Sequence, residues 1–234
     1  MIAPTQLLPS LRSALRLKSE AITLRKALDS SAGFRDMISI AVKSRAFTAN
    51  QKPLEILQLL ELLAASPPRN ICEIGSAKGG TLALFSSVAS GEAKIISLDL
   101  NYSLSRRFAN RYLVRGSQKI KCSRCDSHTT RAVELVRRWI HPDKLDFLFI
   151  DGDHSFAGVK NDFEMYSPLV RSGGIVAFHD IVPDNQMRCG KFTGTSVGEV
   201  PTFWIEMKRR HGAARDLIES PDQDGYGIGV LQIA

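Results

Sequence analysis

Residues 70–80 of the chain read NICEIGSAKGG, and this stretch decides the predicted fold. The run up to Gly75 is mostly apolar, as in a buried strand, although it contains the acidic Glu73. Small residues follow, and Gly79 and Gly80 would let the backbone approach a ligand closely. The pattern is typical of the turn from the first strand to the following helix in a parallel α/β sheet, where ligands bind.

Short apolar runs and helical segments alternate on the C-terminal side of this turn. The predicted strands are residues 70–75, 94–100, 119–123, 145–152 and 174–180, and the predicted helices between them are residues 79–89, 103–115, 129–140 and 156–170. This alternation indicates a mostly parallel sheet with helices on both faces. After a helix predicted at residues 196–211, two strands joined by the short turn PDQDG must pair antiparallel.

The N-terminal part has a different character. Residues 4–45 are predicted to form two or three short helices, and a longer helix follows with Pro53 in its first turn. We therefore divide the chain into an N-terminal helical appendage, residues 1–46, and an α/β domain, residues 47–234. The appendage could form a homo-oligomer or close over a bound acceptor.

Composition limits the kind of protein this can be. The chain has 234 residues, 44% of them hydrophobic, and contains no apolar run of membrane-spanning length. We expect a cytoplasmic protein with no membrane partner. The net charge of +7 lies mostly in the first 50 residues, and no aromatic residues alternate with the basic ones, so a nucleic-acid partner is not expected.

Acidic residues lie at matching strand ends. Asp99 ends the second strand and could accept hydrogen bonds from ribose hydroxyls, while Asp126 and Ser127 follow the third and could meet an adenine amine. The glycine spacing matches neither G-x-G-x-x-G nor the phosphate-binding P-loop, and a charged Glu73 would repel phosphate. These features favour a nucleoside with a cationic substituent, a description that S-adenosylmethionine meets.

A second group of polar residues follows the fourth and fifth strands, in FIDGDH and AFHD. Asp151, His179 and Asp180 could ligate one divalent cation, and His154 is the candidate general base. Two alternatives remain open: His179 could instead hydrogen-bond to Asp180, and Asp151 could contact the cofactor rather than a metal.

Several motifs together resemble a known family. They are CEIGSAKGGTLALF, IISLDL, CDSH, LDFLFIDGDHSFAGVKNDFEMYSPLVRSGGIVAFHDI and GIGVL. They resemble class I S-adenosylmethionine-dependent methyltransferases, most of all the metal-dependent O-methyltransferase branch that includes macrolide-sugar and rhamnosyl O-methyltransferases and cephalosporin-hydroxylase-like proteins. The resemblance begins near residue 51 and is most specific at residues 145–181. It implies a Rossmann-like sheet of seven strands in the order 3-2-1-4-5-7-6, with strand 7 antiparallel.

The resemblance also implies roles by position. The cofactor-binding residues would be Glu73, Gly75, Ser76, Gly79, Gly80, Thr81, Asp99, Asp126, Ser127 and Asp151. The chain departs from the family at Ala77, where many relatives have glycine, and at His179, where many have Glu or Asp. An imidazole in place of a carboxylate weakens the preference for Mg²⁺ and makes Mn²⁺, iron or zinc plausible, and it is also compatible with no metal.

The predicted function is therefore transfer of a methyl group from S-adenosylmethionine to a hydroxyl of a small-molecule or sugar acceptor. A divalent metal, Mg²⁺ or Mn²⁺, and a histidine base would assist. The alternatives are methylation of RNA and binding of the cofactor without turnover. Residues 183–198 are expected to form a mobile loop over the acceptor site, whose specificity the sequence does not reveal.

Overall fold

The computed structural model describes residues 4–234, with side chains from residue 11 onward. Three helices come first: α1 (Pro4–Asp29), α2 (Phe34–Lys43) and α3 (Pro53–Ala65). The first is one helix of 26 residues, because no glycine or proline occurs between Pro9 and Gly33, so the expectation of only short helices is wrong there. Residues 1–3 of the predicted appendage lie outside the described residues.

Strands and helices then alternate as predicted. The elements are β1 (Asn70–Ile74), α4 (Gly80–Val88), β2 (Lys94–Asp99), α5 (Leu104–Asn110), β3 (Lys119–Arg124), α6 (Thr130–Ile140), β4 (Leu145–Ile150), α7 (Phe156–Tyr166), β5 (Val170–His179), α8 (Asn185–Cys189), α9 (Val200–Arg210), β6 (Arg215–Leu217) and β7 (Ile228–Gln232). Most differences from the predicted bounds are a few residues at element ends, but α5 is clearly shorter than predicted. The presence of α8 shows that residues 183–198 are partly helical.

One seven-stranded sheet has the order β3-β2-β1-β4-β5-β7-β6, which confirms the predicted topology. The first five strands are parallel, and β7 pairs antiparallel with both β5 and β6. In the middle, Ile71 of β1 lies opposite Ile95 of β2 and Phe147 of β4. The carboxyl ends of β1 to β5 therefore meet along one edge, where the predicted site residues lie.

Each face of the sheet has its own buried core. On one face, Phe85 of α4 packs edge-on against Phe147 and Phe149 of β4. On the other face, Phe178 of β5 packs against the buried Trp204 of α9. Because helices cover both faces, the central strands β1 and β4 are buried along almost their whole length.

The N-terminal helices share the first of these cores. Leu17, Leu24 and Leu28 of α1 are buried in it. Arg25 is buried as well, and its guanidinium donates to Ser87 Oγ at 3.1 Å and to the Leu113 carbonyl at 3.3 Å. Residues 17–41 are therefore anchored to the α/β layers. None of the helices in the described range 4–234 meets the length and hydropathy that a membrane span requires.

Candidate active site

The turn after β1 is held between two other parts of the chain. Gly75 has φ +81°, and a Cβ built on it would lie 1.9 Å from the Asp151 carbonyl oxygen. A Cβ on Gly80 would lie 2.3 Å from the Ala49 backbone nitrogen. Ala77 also has a positive φ, 44°, which explains why glycine suits this position better. The small residues at 75 and 80 are thus required by close backbone approach.

Asp99, at the end of β2, stabilises this turn through hydrogen bonds. Its Oδ2 accepts the backbone N–H groups of Ser76 and Ala77 at 3.0 and 2.9 Å, and its Oδ1 accepts the N–H of Asn101 at 2.6 Å. A carboxylate offers about four acceptor positions, so about one remains for a ligand hydroxyl. Asp99 therefore orders the turn and can still contact a ribose.

Glu73 lies beneath the turn and does not line the pocket. Its side chain is fully buried, and Oε2 accepts the Ser97 hydroxyl at 2.9 Å, which in turn lies 2.8 Å from the Tyr102 hydroxyl. Burial raises the pKa of Glu73 to about 8, so the carboxyl is mostly neutral at pH 7. The expectation that its negative charge attracts a cationic ligand is not supported, and its role in cofactor binding stays a prediction.

A pocket of about 450 Å³ opens at the carboxyl edge of the sheet, within the size range of small-molecule sites. The structure brings seven of the predicted cofactor residues to its wall: Gly75, Ser76, Thr81, Asp99, Asp126, Ser127 and Asp151. Gly79 and Gly80 are buried behind it. At the β3 end, Asp126 has 53% of its side chain exposed and accepts the His128 N–H at 2.9 Å, so its second oxygen is available.

Sequence reasoning missed one wall of this pocket. Thr48, Asn50 and Gln51 line it, although they precede α3 and belong to no recognised motif. Gln51 is buried: its Oε1 accepts the Thr81 hydroxyl at 2.6 Å, and its Nε2 donates to Asp151 Oδ2 at 3.4 Å. Gln51 therefore links the start of α4 to the end of β4.

Asp151, His154, His179 and Asp180 converge at the other end of the pocket. His154 Nε2 lies 3.5 Å from Asp151 Oδ1, and its Nδ1 lies 3.5 Å from Asp180 Oδ2. His179 Nδ1 lies 3.2 Å from Asp151 Oδ1 and 3.3 Å from Asp180 Oδ1. Asp180 has a positive φ of 64°, an uncommon conformation for a non-glycine residue, and it occurs here where β5 ends.

Contacts within this cluster change the pKa values of Asp151, His154 and His179. Burial opposes the charged form of Asp151, but the positive charge of His179 and the contacts with both imidazoles outweigh it and lower the pKa of Asp151 to about 2. The hydrogen bond to Asp151 raises the pKa of His154, and the nearby Asp180 adds to this effect. Burial lowers the pKa of His179, but the two carboxylates outweigh burial and raise it well above its ordinary value.

The donor set of this cluster fits a divalent cation. Asp151, His154 and Asp180 each offer one ligand atom, and these atoms lie within 4.8 Å of one another. The sequence predicted Asp151, His179 and Asp180 as the ligands and His154 as the base. In the structure, His154 takes the place of His179 in the set of possible ligands. The imidazole of His179 is almost completely buried behind the carboxylates, and its Nε2 has no hydrogen-bond partner among the described residues.

Comparison with known proteins identifies the type of domain. Residues 72–181 match a family model described as a methyltransferase domain. An uncharacterised protein of Acanthamoeba polyphaga mimivirus is 49% identical over 39 residues, a match that spans 17% of this chain and 18% of that relative. This chain therefore matches less than a fifth of the length of that curated relative.

Two solved structures have the same fold. One is the O-methyltransferase TomG from Streptomyces achromogenes, involved in tomaymycin synthesis and in complex with SAM, with a TM-score of 0.58 at 15% identity over 94% of this chain and 98% of that one. The other is an O-methyltransferase from Bacillus cereus in complex with SAH, with a TM-score of 0.57 at 14% identity over 92% and 99% of the two chains. Residues 72–181 therefore match a methyltransferase domain, and the seven-stranded sheet gives the chain the Rossmann-like fold of the two similar structures.

Proposed function

We propose that the chain binds S-adenosylmethionine and moves its methyl group to a hydroxyl oxygen of a small-molecule acceptor. The observation that carries the proposal is the position of Asp151, which lines the pocket and also contacts His154 of the acid–imidazole cluster. A cofactor along the pocket would then have one end beside this cluster. The two similar structures are O-methyltransferases in complex with SAM or SAH, which supports oxygen as the methyl acceptor.

The pocket residues fit an adenosyl ligand. Asp99 has about one acceptor position left for a ribose hydroxyl, and the half-exposed Asp126 can accept an exocyclic amine. Gly75 and Ser76 line the same pocket wall, together with Asp99, Asp126 and Asp151. When bound, S-adenosylmethionine supplies an electrophilic methyl group on its sulfonium, so the residues around it contribute mainly by positioning.

His154 is the proposed proton acceptor for the hydroxyl. About one third of its side chain is exposed, so an acceptor can reach it, and Asp151 and Asp180 hold its two ring nitrogens in place. Because those carboxylates raise the pKa of His154, its neutral, proton-accepting form is reached at a higher pH than in an ordinary imidazole. Methyl transfer that depends on His154 as base should therefore increase as the pH rises through the titration of this group.

Asp151, Asp180 and His154 are also the residues that would hold Mg²⁺ or Mn²⁺. Such a cation would act as a Lewis acid that lowers the pKa of the acceptor hydroxyl. One imidazole lone pair cannot both ligate a cation and accept a proton. Metal analysis of the purified protein therefore decides which role His154 has.

Calorimetric titration with S-adenosylhomocysteine tests the cofactor assignment. We expect saturable binding to the wild type and a loss of about tenfold or more for Asp99→Asn, which removes a charged acceptor but keeps the shape. Asp143→Asn, at an exposed position in the loop before β4, is the matched control and should bind like the wild type. Absence of binding to the wild type, or equal binding by Asp99→Asn, would refute the assignment.

A second assay follows the methyl group itself. Purified protein with radiolabelled S-adenosylmethionine is offered a panel of sugars, phenols and catechols, with Mg²⁺, with Mn²⁺ or with chelator. Transfer to a hydroxyl supports the proposal. Tight cofactor binding without transfer to any acceptor under any of these conditions would indicate a binding protein.

A further inference from the structure

A second cavity, larger than the cofactor pocket, lies away from the acid–imidazole cluster. It has a volume of about 910 Å³ and lies along β3, the outer strand of the sheet, between α5 and α6. We call it the β3 groove. It is lined by residues of all three elements, including the apolar Ile120 and Leu135 and the ring of Trp139. Among the residues that the structure describes, only Cys125 lines both this groove and the cofactor pocket.

Positive charge dominates the lining of the β3 groove. Its basic residues are Arg107, Arg111, Lys121, Arg124, Arg131 and Arg138. In the described part of the chain, none of these six has a carboxylate within salt-bridge distance, and the one acid in the lining, Glu134, is paired with Arg137. The groove therefore carries positive charge that the described chain does not neutralise.

Several of these cations are held in place. Arg107 Nε donates to the Cys122 carbonyl at 3.0 Å, and Arg124 Nε donates to the Leu100 carbonyl at 3.1 Å. Lys121 Nζ lies 5.4 Å from the centre of the Trp139 ring. Thr129, the N-cap of the 11-residue helix α6, also lines the groove and adds the positive end of the helix dipole. Such pre-ordered cations can bind an anionic chain at low entropic cost.

We propose that the β3 groove binds single-stranded nucleic acid through its phosphates. The cations lie on α5, β3 and α6, so successive phosphates of one strand can each find a partner, while Ile120, Leu135 and Trp139 offer apolar surface to bases. A second copy of this chain would bring like charges together. An acidic peptide that paired with β3 as a further strand would need free backbone groups along β3. The carbonyl of Cys122 already accepts a hydrogen bond from Arg107, so this pairing is disfavoured.

The β3 groove is separate from the site of the proposed methyl transfer, and binding in the groove does not depend on that reaction. The shared residue Cys125 places the groove beside the end of the cofactor pocket that contains Asp126, away from His154. The strand would therefore be held at the outer edge of the sheet rather than at the acid–imidazole cluster. The sequence alone did not predict this site, because its six cations are spread over residues 107–138 and do not form a run of basic residues.

Fluorescence anisotropy with a labelled oligouridylate of about 12 nucleotides tests the proposal at several salt concentrations. The groove variant carries Arg111→Gln, Arg131→Gln and Arg138→Gln, three exposed positions where a change should not affect folding. The control carries Arg35→Gln, Lys43→Gln and Arg209→Gln, exposed cations on α2 and α9. Circular dichroism and thermal melts establish that both variants are folded.

We expect the wild type to bind the oligonucleotide with a steep salt dependence. The groove variant should bind about tenfold or more weakly, and its slope of log K against log salt should be shallower by roughly 2, because each lost phosphate contact removes about 0.7 from a single-strand slope. The control should keep the wild-type affinity to within about twofold. Equal losses in both variants, no binding by the wild type, or binding of polyglutamate in place of the oligonucleotide would overturn the proposal.

Discussion

The backbone of Gly75 passes against that of Asp151, so closely that a Cβ at position 75 would lie 1.9 Å from the Asp151 carbonyl oxygen. This contact joins the turn after β1 to the end of β4. It thereby connects the wall of the cofactor pocket to the acid–imidazole cluster. The contact is possible only because residue 75 has no side chain, and substitution of Gly75 tests this requirement.

Gly75→Ala should destabilise the protein by more than about 3 kcal/mol, because the added methyl group meets backbone atoms and the residue has a positive φ. Urea unfolding followed by circular dichroism measures the free energy of unfolding. Gly91→Ala is the control, since nothing lies within 4 Å of a Cβ built there. Similar stability losses in the two variants would show that the close approach at Gly75 does not exist.

Ala77→Gly should have the opposite effect in the same turn. Ala77 has φ 44°, which costs an L-residue about 1–2 kcal/mol, whereas glycine costs some unfolded-state entropy, so we expect a net gain of roughly 0.5–1 kcal/mol. The same urea experiment measures it. A loss of stability on this substitution would mean that Ala77 is not strained.

Glu73→Gln should change how stability depends on pH. An unfolded carboxyl titrates near 4.5, whereas burial raises the pKa of Glu73 to about 8. Between these values the folded protein binds a proton that the unfolded chain does not, so wild-type stability falls as pH rises through this window. The amide has no proton to lose, so the stability of Glu73→Gln relative to wild type should increase by a few kcal/mol from pH 5 to pH 8.5.

The same variant, Glu73→Gln, also tests whether the Glu73 carboxyl contributes to cofactor binding. If the wild-type carboxyl is neutral at pH 7, the amide should leave the affinity for S-adenosylhomocysteine almost unchanged. Glu92→Gln, at an exposed position, is the control for the pH series. Parallel pH curves for wild type and Glu73→Gln would show that Glu73 is already charged in the folded protein.

Asp151→Asn should lower the pKa values of two histidines together. Asp151 contacts His154 and His179 and raises the pKa of each, so loss of its charge should move both pKa values down. Proton NMR of the imidazole C–H resonances across a pH series measures both, with His154→Gln used to assign the signals. Unchanged pKa values for His154 and His179 would disprove the coupling.

Gln51→Ala should weaken divalent-cation binding at the acid–imidazole cluster by about tenfold or more, because Asp151 loses a hydrogen-bond donor that orients it. Calorimetric titration with Mn²⁺ compares the variant with wild type and with Gln186→Ala, on the short helix α8, as control. Equal affinities in all three proteins would show that Gln51 does not position Asp151. A wild type that does not bind Mn²⁺ would count against the metal itself.

Much of the fold could be predicted because its signals are local. Apolar runs such as ICEI and LDFLFI, alternating with helical segments, are sufficient for a parallel sheet, and the strand order came from the family resemblance. Asp99, Asp126 and Asp151 line the pocket because each ends or follows a strand, a position that the sequence pattern indicates. The long helix α1 was not predicted, because the spacing of its leucines did not show that one uninterrupted helix continues to Asp29.

The sequence by itself determined the order of the elements and the edge of the sheet where polar residues gather, since both depend on residues close together along the chain. Only the tertiary structure decided that Glu73 is fully buried, that Gln51 reaches Asp151, that His154 lies beside two carboxylates, and that six cations from β3 and the segments of α5 and α6 meet in one groove. The physical reason is the same in each case. Charge state, hydrogen bonding and coordination depend on which atoms are within a few ångströms, and in a folded chain those neighbours come from distant segments.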